Sequence, residues 1–572
     1  DRDLTVEEFK ATCLVGTDSA AGLDGWAARD LALLSDKAFG LLVDLLNEIE
    51  KGAPWPKHML TTRAVFLSKD PNDTANPLAY RILKITSGYY RKWASCRNKG
   101  LEEWVKSWDR PEINSGVPGK GAQDAWMITA IMLEKARLEG KESAGGSIDI
   151  FKCFDQINRP LIYALAKEAG MPMRILTPYF NYIDNVKNRY QIGKTIGQEH
   201  EDRCSIPQGC PFSMTMIALL MVPWINIMIE KGVEPRVLAD DLMFTISGPD
   251  NRSKTIEAMK ISRQYFEDIG AKVADKKCFT FATDPFTREY ITNYDFDGNG
   301  LYIPNHSSFR DLGSHLNFTQ STNGSTLTER MYKACEMAKR LKYLPISRQQ
   351  KEKIVLCNIL PAALYGVESS TINQQALQSL RTAIANAIGP SSAKRNIDLV
   401  FSTTSGNKDL DPLTHILYLR TAALRRMIAK HEGQHDIICK ILTDIHSKKN
   451  APPKTPNIWP AWDDNEEGRF SNNLGPVQLL YENLQQYGYE LNTDLTITKH
   501  NEAPIDLWRM PWQHLKTAMH NIAIRGRLDT INSNRTFCGH IEEIDELIVS
   551  KTIEKLAEKE KRIYSHIFSG PM

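Results

Sequence analysis

The 572-residue chain has no run of eighteen apolar residues, no C-x-x-C pair, no large surplus of either charge and no internal repeat. The first absence excludes a transmembrane helix read as an unbroken apolar stretch. The longest candidate, MTMIALLMVPWINIMI (214–229), is short, is interrupted by Pro223, and reads as a buried helix. Ten cysteines are scattered singly (Cys13, Cys96, Cys153, Cys204, Cys210, Cys278, Cys335, Cys357, Cys439 and Cys538), so no disulfide framework is written in their spacing. With no signal-peptide pattern, reduced thiols in an intracellular compartment are expected. Lys and Arg total 71 against 69 Asp and Glu, a net charge of +2, so composition alone names no partner. A nucleic-acid enzyme with locally clustered basic residues has the same totals. Without repeats or low-complexity tracts, no repeat array is expected.

What is present is an ordinary globular composition, in a chain too long for one core. Its length suggests about three or four domains. It opens DRDLTVEEFK without a methionine, as a fragment of a longer protein would. SDKAFGLLVDLLNEIEKG (35–52) predicts a helix capped by Ser35, with a stripe of Phe39, Leu42, Leu45, Leu46 and Ile49 and a stop at Gly52. TRAVFLSKD (62–70) predicts a strand, and 76–93 an extended piece passing into a helix. After a loop at 111–123, a helix is expected over 124–141. GGSIDIFKCFDQINRP (145–160) reads as a strand and a turn into a helix that Pro160 opens and Gly170 closes. Residues 173–192 pass from helix to strand, and CSIPQGCPFS (204–213) is a loop opening a long apolar helix. PRVLADDLMFTISG (235–248) has the pattern of a hairpin. A helix over 252–270 and a strand near KCFTFA follow. Helices dominate from about 320 to 442, 443–475 is Pro/Asn/Asp-rich and reads as a linker or long loop, and the remainder is mostly helical.

The hairpin raises a chemical problem. Asp240 and Asp241 sit at the tip of an apolar run, although aspartates repel each other and are poor strand formers. Upstream, Asp149 ends a predicted strand. Were that strand to neighbour the hairpin, three carboxylates would meet, which is unfavourable unless cations neutralise them. Oxygen ligands favour Mg²⁺ or Mn²⁺. Two such ions about 3.5–4 Å apart can activate a 3′-hydroxyl and stabilise leaving pyrophosphate. Taken singly, an Asp pair at a turn is an ordinary solvated turn, and a strand-terminal Asp an ordinary helix cap. The ordered set is what discriminates.

That set is DIFKCFD (149–155), IPQGCPFS (206–213), LADD (238–241), ADKKC (274–278) and FRDLGSHL (309–316). It resembles the motif series of reverse transcriptases, most closely those of non-LTR (LINE-like) retrotransposons. AGLDGW (21–26), APWPKH with the following fingers segment, and ILPAALYGVES (359–369) resemble flanking elements of that group, so the resemblance spans roughly 15–430. Leu238, Ile82 and Asp311 depart from the usual residues; Asp311 stands where Tyr is usual. The resemblance implies an α+β right-hand polymerase. Its parts would be an N-terminal extension and fingers over 1–145, a palm over 146–320, a helical thumb and connector over 321–442, a linker over 443–475 and a helical region over 476–572. It implies an RNA-directed DNA polymerase using two Mg²⁺ or Mn²⁺ ions, an RNA template, a DNA primer or target and dNTPs. It also implies a nuclear location and no membrane.

The resemblance also implies roles. Asp149 and Asp240 would bind both metals and Asp241 would add charge and secondary coordination. Ile150 would offer its carbonyl, or be a plain core residue. Phe154 would be the steric gate against a ribose 2′-hydroxyl, or else a core ring. Gln208 and Gly209 would line the nucleotide pocket, while Ser213 is read as a helix cap. Lys69 and Arg81, with Arg63 behind them, would hold the triphosphate. Lys277, or Lys276, would donate a proton to pyrophosphate. Gly313 would mark the primer grip. Arg330, Lys333, Lys339, Arg340 and Lys342, then Arg348, Lys351 and Lys353, could track a nucleic-acid backbone, as could Arg420, Arg425, Arg426 and Lys430. His431, His435 and Cys439, with CGH at 538–540, match no zinc motif, and isolated side chains are the simpler reading. No zinc knuckle, endonuclease or ribonuclease H domain is legible. An RNA-dependent RNA polymerase is the first alternative; Phe154 and Ala239 oppose it, since those enzymes commonly carry Gly before the Asp pair. An idle RNA-binding scaffold is the second, opposed by the presence of all three aspartates.

Overall fold

Segments far apart in the chain assemble two four-stranded sheets, and these carry the site. The computed structural model describes residues 2–69 except 17, 72, 73, 75, 76, 79–318, 325–389, 395–404, 409–449, 475–534 and most of 544–564. The first sheet orders β2 (Tyr80–Ile85), β1 (Thr61–Ser68), β4 (Lys187–Ile192) and β5 (Thr195–His200). β1 and β2 are antiparallel, but β1 and β4 are parallel, with Thr61 opposite Lys187. Below it, Trp55, Tyr90, Trp93 and Tyr182 pack in one aromatic cluster, with Tyr90 and Tyr182 stacked. The expected helix is present as Asp36–Glu50, and Ser35 accepts the Ala38 N–H at its start.

The second sheet orders β6 (Glu234–Leu238), β7 (Asp241–Ser247), β3 (Ser143–Asp149) and β8 (Phe279–Ala282), all antiparallel. Helix Asn251–Asp268 covers one face, where Met259 packs close to Gly146. The other face meets helix Ala122–Leu138 and the hairpin β9 (Ser308–Asp311) and β10 (Ser314–Asn317) through Phe281, Phe309, Phe318, Ala130 and Leu133. Both faces are therefore covered, which is why β7 reads as a nearly unbroken apolar run rather than an alternating one. The close approach requires Gly145, where a Cβ would lie 2.1 Å from the Phe244 carbonyl oxygen.

Helix Ser213–Glu230 is long and apolar enough to cross a membrane by length and composition, yet Met216, Leu220, Trp224 and Met228 are buried in the main core. Trp224 Nε1 donates to Ser262 Oγ at 2.9 Å. Helices Ser325–Lys342 and Gln374–Ile388 form a separate core with Leu360 and Val367. Helices Pro412–Lys430, Gln434–Lys449, Pro476–Gln485 and Trp512–Asn534 pack with Trp126, Met127 and Ile131 in a third. One expected boundary needs correction. The helix from Gln434 runs past 442 to Lys449, because Ile441, Leu442 and Ile445 keep its apolar face buried; the rest of the linker, 450–474, lies outside the described residues. The last hundred residues also contain a three-stranded sheet, β11 (Glu490–Leu491), β12 (Thr496–Thr498) and β13 (Ile505–Asp506).

Candidate active site

Leu238 pairs with Asp241, leaving Ala239 and Asp240 as a two-residue turn. Ala239 has φ +57°, a left-handed conformation that costs a non-glycine residue about 1 kcal/mol or more unless its surroundings fix it. Its surroundings do. Its N–H donates to Ser115 Oγ at 2.6 Å, and the loop carrying Ser115 runs along β6. There Asn114 N donates to Val237 O (2.8 Å) and Val237 N to Glu112 O (2.9 Å).

The register of β3 on β7 sets Asp149 opposite Asp241, one residue from Asp240. Strand pairing thus brings together three aspartates from segments far apart in sequence. Lys277 Nζ lies 3.2 and 3.3 Å from the Asp149 carboxylate oxygens. Arg236 Nη2 lies 3.6 Å from Asp241 Oδ1. Burial pushes the Asp241 carboxyl up to about 6; Arg236 opposes this, while Asp311, Asp240 and Asp149 add to it. The Asp240 carboxyl is also raised, first by loss of water and then by Asp149, with Arg81 and Lys277 opposing. Asp149 is thus paired with Lys277 while Asp241 has only a long contact with Arg236, and no three carboxylate, imidazole or thiolate groups among the described residues close on one point. The mutual repulsion and the all-oxygen donor set nevertheless suit a hard divalent cation. Ile150 is buried and bridges Val273, while the Asp149 carbonyl accepts the Ala274 N–H at 2.8 Å.

Lys69 follows β1, and Arg81 lies opposite Leu67 on β2, both exposed. Loss of water lowers the Lys69 pKa, and the charges of Lys277, Arg81 and Lys152 lower it further against Asp149. Four cations therefore share one field beside the aspartates. Arg63 lies on the same sheet face as Arg81 by register, with its Nε buried and unpaired. Phe154 is half-buried in the short helix Cys153–Gln156, and its carbonyl accepts the Ile206 N–H at 3.0 Å. That bond joins the DIFKCFD turn to the IPQG loop. Gln208 is half-buried, and Gly209 has φ +100° and abuts Leu83 and Lys84 of β2. Ser213 is not a cap: the helix starts after Phe212, and the buried Ser213 hydroxyl donates to Pro207 O at 2.8 Å. The cap rule misleads here because the hydroxyl ties the preceding loop instead. Lys276 is exposed beside Lys277.

Gly313 has φ +92°, and a Cβ there would lie 2.9 Å from Tyr365 Cε1 and 3.2 Å from Arg330 Nη2. Arg330 Nη1 donates to Tyr365 O (2.8 Å), and Tyr365 Oη donates to Leu312 O (3.1 Å). The FRDLG and LYGVE motifs thus meet through a cation stacked on an aromatic ring. Arg330, Lys333 and Arg340 have the spacing of one helix face. Lys339 pairs with Glu336, and Lys342 lies over Tyr343.

The other basic sets are largely internal. Arg348 pairs with buried Glu352, Lys351 donates to Lys342 O, and Lys353 is exposed. Arg420 is buried and donates to the carbonyls of Val367, Leu479 and Ser370. Arg425 donates to Leu507 O and Met510 O, and Lys430 to Gly119 O. Arg426 forms a two-pronged pair with buried Asp124, which His431 also faces. This helix is corrected from a nucleic-acid track to an internal strut. His435 faces Asp436 and Trp508 rather than joining His431, and 538–540 lies outside the described residues.

Sequence reasoning missed Ser115, Arg236, and the ion pair of Lys84 with Asp202 that fastens β2 beside Ser205. Only Asp311, conspicuous by its departure from Tyr, carried a signal.

Comparison with known proteins agrees with the motif order. Residues 69–316 match the family described as reverse transcriptase (RNA-dependent DNA polymerase). The Retrovirus-related Pol polyprotein from type-1 retrotransposable element R2 of Nasonia vitripennis is 22% identical over 284 residues, covering 47% of this chain and 26% of that protein. The chain therefore spans about a quarter of that relative. Two telomerase structures from Candida tropicalis are more distant. The apo form truncated from its C-terminal domain superposes with a TM-score of 0.34 at 11% identity, over 50% of this chain and 59% of that one. The complex with a TWJ fragment of telomeric RNA gives 0.34 at 10%, over 72% and 68%. From Lys69, just after β1, to the β9–β10 hairpin, the chain thus matches the reverse transcriptase family, and part of it is similar to the Pol polyprotein of a retrotransposable element.

Proposed function

We propose that the chain is an RNA-directed DNA polymerase that extends a primer 3′-hydroxyl on an RNA template, with Asp149, Asp240 and Asp241 as its carboxylate centre. The observation that carries this reading is the register that faces Asp149 with Asp241 beside the Asp240 turn, within the field of Lys69, Arg81 and Lys277. Two divalent ions held there would activate the 3′-hydroxyl and offset charge on the leaving pyrophosphate. The chain's own residues supply the rest. Lys69 and Arg81 attract the triphosphate, and the flexible backbone at Gly209 lets it approach the IPQG loop. Phe154 fills the space a 2′-hydroxyl would need and offers it no hydrogen bond. Lys277 carries a proton at Nζ that can pass to pyrophosphate as the P–O bond breaks. Gly313 and the Arg330, Lys333 and Arg340 face hold the primer and template backbone. We propose copying of element RNA from a nicked genomic primer, in the nucleus, as the setting of this reaction; the likeness to a retrotransposable-element Pol polyprotein supports it.

The test is extension of a DNA primer on an RNA template with Mg²⁺ or Mn²⁺. Incorporation of dNTPs by the wild type is expected, with loss in Asp240→Ala of more than about 100-fold, beyond what an outer-shell group costs. Absence of product, or undiminished product in the variant, sinks the reading.

A further inference from the structure

We propose that Asp311 and Arg236 are a coupled pair of positioning residues that keep Asp241 available to a divalent cation; this rests on the polymerase reading above. Asp311 lies in β9, next to the Leu312–Gly313 turn, and Arg236 in β6, before the Ala239–Asp240 turn. Both are buried, with side-chain exposures of 2% and 7%, against 43% for Asp241. The guanidinium grips Asp311 with both ends: Nη1 to Oδ2 at 2.5 Å and Nη2 to Oδ1 at 2.7 Å. Nη1 also lies 3.3 Å from Thr129 Oγ1. The same Nη2 stands 3.6 Å from Asp241 Oδ1.

Arg236 thus has two carboxylates in reach and is committed to the nearer, more buried one. That division matters for the site. A guanidinium fully engaged with Asp241 would occupy the lone pairs a metal needs. Asp311 prevents this by satisfying the fork, leaving Asp241 one long contact that orients it without neutralising it. Removing the Asp311 charge would leave Arg236 buried with Asp241 as its nearest anion, and the fork would swing to it. The departure of Asp311 from the usual Tyr thereby gains a reason. A phenol cannot neutralise Arg236, so Asp at 311 and Arg at 236 belong together. The pair also ties the β9–β10 hairpin to the Asp-bearing turn.

The experiment is a Mn²⁺ titration of the full chain read by electron paramagnetic resonance, alongside thermal unfolding. The proteins are wild type, Asp311→Asn, the double variant Arg236→Leu with Asp311→Leu, and Asp240→Ala. Asp311→Asn is expected to raise the half-saturating Mn²⁺ concentration about tenfold, the scale of one close charge contact. The double variant, which removes the competing cation with its partner, is expected to bind within about threefold of wild type or tighter. Should Asp311→Asn fail to fold, the double variant decides alone. Unchanged binding in Asp311→Asn, or a double variant weakened as much as the single one, overturns the inference. If that happens while the wild type still extends primers, the polymerase reading stands. If the wild type neither extends primers nor shows Mn²⁺ sites lost in Asp240→Ala, both fall.

Discussion

Phe154 shows what a single side chain can decide. Its ring packs half-buried against the main core while its backbone carbonyl holds Ile206 at the mouth of the IPQG loop. The backbone bond does not depend on the ring, so shortening the side chain opens space without releasing the loop. Phe154→Val is therefore expected to narrow discrimination against rNTPs by about tenfold or more, since a pocket excludes an added hydroxyl only by shape. Competing dNTP and rNTP incorporation by the same protein measures this, and equal discrimination in variant and wild type rejects the gate. Lys277 and Arg236 occupy a different position. Each lies beside one of the three aspartates; Lys277 is marked in sequence only by the motif resemblance, and Arg236, a basic residue before an apolar run, by nothing. The motif order announced the carboxylates and Lys277, but not the buried Arg236.

At the scale of elements, the Asp-bearing hairpin is defined by its neighbours more than by its own sequence. A two-residue turn with Ala in a left-handed conformation is a poor local choice. The loop at 112–116 compensates by pairing with β6 and by placing Ser115 Oγ under the Ala239 N–H. Ser115→Ala leaves that buried N–H unpaired and is expected to cost about 1–3 kcal/mol of unfolding free energy. Loss of primer extension should exceed the loss of stability, because the turn carrying Asp240 is what relaxes. Denaturant unfolding and extension rates on one preparation separate the two, and a variant as active and stable as wild type refutes the role. The strands, helices and hairpin themselves were largely legible, because apolar spacing and capping are local. The Ser35-capped helix and the strand ending at Asp149 follow from it. Ser213 was misread because a hydroxyl before a helix can bond backward as easily as forward. The parallel pairing of β1 with β4 left no local trace at all.

The whole molecule is held by charges that the sequence presents as surface. Arg420 lies buried near Glu368, a residue of the LYGVE segment. Glu368 Oε1 accepts a bond from Gln123 at 2.9 Å, while its Oε2 is buried without a hydrogen-bond partner. Burial pushes the Glu368 carboxyl up to about 7 from an ordinary 4.5, with Arg420 only partly opposing. The folded pKa exceeds the unfolded one. The stability of the protonated form is therefore full below about pH 4.5 and is lost as pH rises through about 7. Glu368→Gln, which mimics the neutral acid, should flatten that decline by about 3 kcal/mol across the window. Unfolding free energies against pH test it; parallel curves for variant and wild type exclude the assignment. Glu134 is raised in the same direction and accepts the N–H groups of Val477 and Gln478, joining helix Ala122–Leu138 to the C-terminal helices. Those helices share a core with Trp126 and Met127, so the arginines of Pro412–Lys430 face inward.

The sequence by itself determined most of the elements, the motif order and the resemblance to reverse transcriptases, because periodicity, turn residues and ordered short motifs are properties of neighbouring residues. It determined that three aspartates exist and the kind of ion they suit. Tertiary structure decided which strand faces which, and so which carboxylates meet. It also decided which cations attend them and which arginines are spent inside the molecule. Those outcomes depend on long-range register and on burial, and a charge has the same letter whether it lies in water or under a sheet.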